Sequence, residues 1–301
     1  MRVGAVFPQL EIGTDPDDLV RYARTLEDLG FDHLVIFDHV LGATRDRPGG
    51  DRFTYDERST FHEPLVLFGH LAAVTTRLGL ATAVIVLPQR QAALVAKQAA
   101  EVDLLSRGRL VLGVGVGWNF VEYEALGMRF TDRGRRIEEQ VALMRRLWTE
   151  PVVEMSGRWH RVDRAGLAPL PVQRPIPVWM GGGWDAREKR IVEPAARRIA
   201  RIADGWFTHV PATDEGRAAM EAFRSYLLEA GRDPDAFPVE GRVYAARGGV
   251  DEWLRSARAL RAMGMTSVEL TTMGAGYRSL DEHLAALGAF RSGLRAEGLV
   301  S

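Results

Sequence analysis

Eight short apolar runs recur along the chain, at 3–7, 33–37, 80–86, 110–116, 177–180, 205–209, 239–245 and 267–270. They are too continuous for strands with one wet face and predict parallel strands covered on both sides. Amphipathic helical segments lie between them. The first is the best marked: Asp15 as N-cap, Pro16 at the first helical position, Leu19, Tyr22, Leu26 and Leu29 on one face, and Gly30 as the stop. The same grammar returns in Leu94/Val95/Val102/Leu105 closed by Gly108, in Ile137/Val141/Met144/Trp148, in Trp253/Ala257/Leu260 closed by Gly264, and in Leu280/Leu284/Leu287. Eight strand–helix units with no linker or composition shift predict an α/β chain folded as a single (β/α)8 TIM barrel over residues 1–301, rather than an open sheet with a switch point. Two segments exceed an ordinary connection: 41–60 after the second strand, and 151–174 before the fifth. Barrel enzymes build their sites from the loops after strands, so the first insertion is expected to cover the site. The second contains a turn at Ser156-Gly157 between 152–154 and 159–162, which predicts a small hairpin. Pro194 within 191–203 predicts a broken or restarted helix.

Composition narrows the chemistry. With 39 Lys+Arg against 40 Asp+Glu, a net charge of −1 and 46% apolar residues, the chain reads as globular, with no diffuse pull toward nucleic acid or an anionic membrane; a small-molecule partner is expected. Zero cysteines exclude thiol nucleophiles, thiolate zinc sites and iron–sulfur ligation. The apolar run at the N-terminus is too short for a signal peptide, and the longest one, 78–87, falls well below the ~20 residues of a membrane span. A cytoplasmic protein is the expectation.

Candidate chemistry gathers at strand C-termini. The second strand ends in Phe37-Asp38-His39, where His39 can pass a proton or bond a substrate oxygen and Asp38 can orient it, bond a cofactor or cap the next turn. The other histidines lack the two-histidine helical spacing of a zinc site, so no metal is expected. The fourth strand runs into Gly113-Val114-Gly115-Val116-Gly117-Trp118-Asn119: its glycines admit a planar ring or permit close strand packing, and Asn119 can cap the next helix. A dinucleotide fingerprint fails, because its third glycine would fall on Trp118. The fifth strand ends in Gly181-Gly182-Gly183, either a plain turn or a phosphate seat feeding a helix N-terminus. Arg45, Arg47, Arg52, Arg58 and Arg90 lie in active-face loops and are candidates for an acidic group.

With these positions in hand, the chain resembles the bacterial luciferase-like flavin and deazaflavin oxidoreductases, most closely the subgroup that uses coenzyme F420. The resemblance is carried by the Phe31-to-Val40 segment, by the block from Leu78 to Pro88 through Ala96-Lys97-Gln98-Ala99-Ala100 and Leu105-Ser106-Arg107-Gly108-Arg109 to Gly113–Trp118, and by Pro177 to Gly183 followed by Ala203-Asp204-Gly205-Trp206. It implies a luciferase-like barrel with the cofactor ring at the C-terminal mouth, backed by a third-strand bulge near Ala83, Val84 and Ile85 that often holds a non-prolyl cis peptide. It places the catalytic pair on Asp38 and His39, with His39 as proton carrier or substrate anchor, and the remaining cofactor contacts on Gly115, Gly117, Trp118, Gly181, Gly182 and Gly183. Some sugar-phosphate dehydrogenases of the family have glutamate at the place of Trp118 and tryptophan at that of Ala43, so the resemblance does not extend to that activity. The implied reaction is hydride transfer between coenzyme F420 and a small organic substrate. The alternatives are an FMNH2-dependent monooxygenase, with FMN as cofactor, and a non-catalytic flavin-binding barrel. Pairing through outer helices, common in such barrels, implies a homodimer. Substrate choice is expected to rest on 41–60 and on strand-end groups such as Gln9, His209 and Thr271.

Overall fold

A computed structural model of the chain describes residues 1–47 and 53–300. In chain order the elements are β1 (Arg2–Val6), α1 (Pro16–Leu29), β2 (His33–Ile36), α2 (Pro64–Val74), β3 (Gly79–Thr82), β4 (Ile85–Val86), α3 (Ala92–Leu105), β5 (Leu110–Gly115), α4 (Phe120–Ala125), α5 (Arg133–Thr149), β6 (Val153–Ser156), β7 (Arg161–Ala165), β8 (Val178–Gly181), β9 (Trp184–Asp185), β10 (Arg190–Ile191), α6 (Glu193–Ile202), β11 (Gly205–Phe207), α7 (Asp214–Glu229), β12 (Val239–Tyr244), α8 (Val250–Ala262), β13 (Ser267–Thr271) and α9 (Leu280–Ala296). The parallel strands pair in the order β3-β2-β1-β13-β12-β11-β8-β5-β4, and a β3–β5 pairing closes the cylinder. It is an eight-position (β/α) barrel in which β3 and β4 share one position.

Local signals explain the helices that hold it. In α1 the Asp15 carboxylate accepts from the Asp17 N–H, Pro16 opens the first turn, and Gly30 closes the helix at φ 79°. Pro194 starts α6 rather than breaking it, because proline in a first turn forfeits only an N–H that has no partner there. The expected hairpin is present as antiparallel β6–β7. The third strand is interrupted: a cis peptide joins Ala83 and Val84 between β3 and β4.

The main core lies between the strands and the helices, whereas the barrel interior mixes a small apolar layer with charge. Val6, Val35, Ala81, Trp179 and Phe207 pack across the axis. Beside them the Nε2 of His33 lies 2.8 Å from Glu240, whose other oxygen accepts from Ser267 at 2.7 Å, and Arg242 pairs with Glu269. Burial opposes charge on both members of the His33–Glu240 pair, but their mutual attraction prevails, raising the histidine and lowering the carboxyl. β12 thus alternates inward Glu240 and Arg242 with outward Val239, Gly241 and Val243; a Cβ on Gly241 would lie 2.2 Å from Met265 Sδ.

Candidate active site

The bulge between β3 and β4 shapes the mouth. It pushes the Val84 side chain out over the ends of β5 and β8, where a Cβ on Gly115 would stand 2.5 Å from Val84 Cγ2 and one on Gly181 2.6 Å from Val84 Cγ1. A Cβ on Gly117 would meet Val86 Cγ1 at 2.5 Å, and one on Gly113 would strike the Thr82 carbonyl oxygen at 1.6 Å. These glycines therefore seat the bulged strand first. By seating it they leave Val84 as an apolar platform at the floor of a cavity of about 400 Å³, within the ~300–1,000 Å³ typical of small-molecule sites.

Of the residues expected to contact a cofactor, Ala83, Val84, Gly115, Gly117, Trp118, Gly181 and Gly182 line this cavity. Ile85 is fully buried in the core, and Gly183 is backed by Trp206 and Ile199, so neither faces the cavity. The phosphate seat read from Gly181–Gly183 is not formed as expected. The glycines lead into the β9–β10 hairpin, and α6 begins beyond it with Glu193 and Pro194, which put a negative charge and a missing N–H where an anion would need a donor.

At the end of β2 the two candidate groups do different work. Asp38, 3% exposed, accepts from the Val86 N–H at 3.3 Å and from Arg90 at 2.9 Å, while Arg90 also holds Glu63 at 2.8 Å. Burial pushes the Asp38 carboxyl up and Arg90 opposes it. Asp38 thus ties the β2 end to the bulge. His39 points Nδ1 at Glu122, 3.2 Å from Oε2, and its Nε2 makes no hydrogen bond among the described residues. Its ring is boxed by Phe61, Tyr55 and Trp118, with centroids 4.9, 5.1 and 5.3 Å away. Tyr55 comes from the insertion after β2, so the described part of that segment does lie over the second-strand histidine. His39 itself is not part of the cavity wall; Trp118 touches both.

Glu122 is the residue that sequence reasoning missed. It is fully buried in α4, and besides His39 it accepts from the Val40 N–H at 2.6 Å, the Leu41 N–H at 3.2 Å and Gln89 at 3.2 Å. Burial raises its pKa, but the donors from His39, Leu41 and Gln89 together outweigh burial and hold it below the usual carboxylate range. The available signal was Asn119-x-x-Glu122, which reads as a capping box. Asn119 does cap α4, accepting from the Val121 N–H, but Glu122 reaches across to the β2 end instead.

The far wall carries His209, Arg242 and Glu269. His209 Nδ1 sits 2.9 Å from the Tyr244 hydroxyl, and the neighbouring Arg242 charge pushes its pKa down. Gln9 is structural: it donates to the Phe37 carbonyl and accepts from the His62 N–H. The Thr271 hydroxyl is buried without a partner among the described residues. Arg45 pairs with Asp56, Arg58 with Glu57, and Arg47 lies over Phe53 and Phe120; Arg52 lies outside the described residues.

Comparison with known proteins agrees with this architecture. An uncharacterized protein of Mycobacterium tuberculosis is 32% identical over 281 residues, 88% of this chain and 94% of that one. An F420-dependent glucose-6-phosphate dehydrogenase of Nakamurella multipartita is 32% identical over 200 residues, 64% of this chain and 52% of that one. An FMNH(2)-dependent dimethylsulfone monooxygenase of Pseudomonas fluorescens is 31% identical over 178 residues, 58% and 46% of the two chains. The solved structure of the monooxygenase RslO1 from Streptomyces bottropensis shares the fold, with a TM-score of 0.73 at 20% identity over 99% of each chain. The luciferase-like monooxygenase model matches residues 2–293, and the chain belongs to that family, which has F420- and FMN-dependent members.

Proposed function

We propose that this protein is an F420-dependent oxidoreductase that moves a hydride between the deazaflavin and a small organic substrate. The observation that carries the reading is the glycine-seated, apolar Val84 platform, joined through Trp118 to a histidine whose Nδ1 is fixed by a buried carboxylate and whose Nε2 makes no hydrogen bond among the described residues. The floor of the cavity fits a planar ring: it is apolar and its strand ends lack Cβ atoms, with Trp118, Trp184 and Phe207 on the walls beside the polar far wall of His209, Arg242 and Glu269. Ala83, Val84, Gly115, Gly117, Gly181 and Gly182 would hold that ring, with Trp118 at its edge. When bound, the deazaflavin supplies a carbon that accepts or returns a hydride. Glu122 keeps the His39 proton on Nδ1, so Nε2 is the atom that takes or gives the substrate proton accompanying the hydride. Asp38 and Arg90 position the bulge beneath, and the aromatic box excludes water around His39.

The resemblance of the ordered motif set favours F420, while an FMNH2-dependent monooxygenase is the alternative supported by the Pseudomonas relative. Oxygen consumption with reduced FMN separates them: the F420 reading expects none coupled to substrate turnover. His39→Ala is expected to lower kcat by ~10²-fold with cofactor affinity unchanged, and equal turnover in that variant removes His39 from the chemistry. A homodimer is part of the proposal. α2 is apolar nearly all round, yet Val66 is 69% exposed, and Leu94 on the neighbouring α3 is 52% exposed, which fits a helix face covered by a second copy. Among the described residues no helix is long and apolar enough to cross a membrane.

A further inference from the structure

A second chamber of about 400 Å³ adjoins the mouth cavity and shares Trp184, His209 and Arg242 with it. Arg242 stands where the two meet. Its side chain is only 12% exposed, and its Nε is held by Glu269. Its two terminal nitrogens donate to nothing among the described residues and are not among the buried unpaired atoms, and the side chain lines both cavities. A buried guanidinium with one edge fixed and its fork open is a pre-aligned receptor for a two-oxygen anion. The surrounding charge agrees. Lys189 and Arg247, the latter stacked over Tyr244, line the second chamber with Glu215, and Glu269 faces Arg242 from the mouth cavity, so among the described lining residues the second chamber itself carries more positive than negative groups. The remaining walls include Val210, Pro211, Leu260 and the rings of Trp184 and Tyr244, which suit an apolar or aromatic body rather than a sugar.

We propose that Arg242 anchors the carboxylate of the substrate, which is an apolar or aromatic carboxylic acid lying in the second chamber with its reacting end at the mouth. The substrate assignment rests on the oxidoreductase reading above, whereas the anion site stands on its own geometry.

The test is a titration of the purified protein with benzoate and with its uncharged counterpart benzamide, read by tryptophan fluorescence from Trp184 and Trp118. Saturable benzoate binding is expected, at least ten-fold tighter than benzamide. Arg242→Gln should weaken benzoate by ten-fold or more and leave benzamide unchanged, with Arg242→Lys in between. Because Arg242→Gln strands Glu269, the double variant Arg242→Gln/Glu269→Gln removes the pair together and should bind benzoate as weakly. Equal binding of the two probes, benzoate binding indifferent to Arg242, or no saturable benzoate binding each overturns the proposal. Parallel titrations of the same variants with F420 separate the sources of the anion. If Arg242→Gln weakens F420 and not benzoate, the fork serves the cofactor tail and the substrate assignment is wrong. If F420 fails to bind the wild type while benzoate binds, the cofactor reading falls and the anion site remains.

Discussion

Replacing Glu122 by glutamine changes one oxygen into an NH2 group and nothing else in size. Glu122 faces four donors: the Val40 and Leu41 N–H groups on Oε1, Gln89 Nε2 on Oε2, and His39 Nδ1. A glutamine can keep its oxygen on Val40 and Leu41, but its NH2 then points at the Gln89 donor and at His39 Nδ1. The first contact sets donor against donor, or, if the Gln89 amide flips to bring its unpaired Oε1 to the new NH2, strands the Gln89 nitrogen instead, so a buried donor loses its partner either way at a cost of ~1–3 kcal/mol. The second is relieved only if the imidazole moves its proton to Nε2, so that Nδ1 accepts. Two results are expected of Glu122→Gln: a fall of several degrees in thermal midpoint, at ~2–4 °C per kcal/mol for a chain of this size, and a switch of neutral His39 to the Nε2–H tautomer, read by nitrogen NMR of the histidine ring. Turnover should fall with the tautomer switch. The acid limb should flatten too: Glu122 is depressed in the fold, so its stabilisation is present above its unfolded pKa and is lost as pH falls through the lower folded value, and glutamine removes that dependence. An unchanged Nδ1–H tautomer with unchanged stability would refute the assignment of Glu122 as the group that orients His39.

The Gly115 contact gives a second prediction: Gly115→Ala places a Cβ 2.5 Å from Val84 Cγ2, so it should cost ~1–3 kcal/mol in chemical denaturation, and Val84→Ala in the same chain should recover part of that loss. Additive losses would place the clash elsewhere. Glu27 accepts from the N–H groups of Thr76, Arg77 and Leu78, which overcome burial and hold its pKa down to about 2. Its contribution, on the order of 2 kcal/mol, should be present at neutral pH and be lost as pH falls from about 4 to about 2; Glu27→Gln should be less stable at pH 7 and nearly equal to wild type at the acid end. For the proposed dimer, Val66→Glu with Leu94→Glu should yield a monomer by light scattering, and a wild-type protein already monomeric at micromolar concentration would refute that surface.

Much of this was legible because the signals were local. The Asp15–Pro16 start and Gly30 stop of α1, the glycines after β5, and the hairpin turn near Gly157 depend on residues close in sequence. The bulge position followed from resemblance, and its packing reason, the Val84 side chain wedged between Gly115 and Gly181, joins three strands and could be seen only in three dimensions. The charged barrel interior was missed because β12 was read as covered by apolar neighbours on both faces. In a closed barrel, the alternation Val239-Glu240-Gly241-Arg242-Val243 means apolar toward the helices and polar toward the axis. The β9–β10 hairpin, two residues per strand, is too short to leave a periodic signal, and it displaced the expected phosphate seat.

The central claim is that the Val84 platform holds a deazaflavin. Equilibrium fluorescence titration of the purified protein with coenzyme F420 and, separately, with FMN tests it most directly. Saturable binding of F420 that is weakened by Gly115→Ala, with no tight binding of FMN, is the predicted result. Tight binding of FMN with no saturable response to F420 would contradict it.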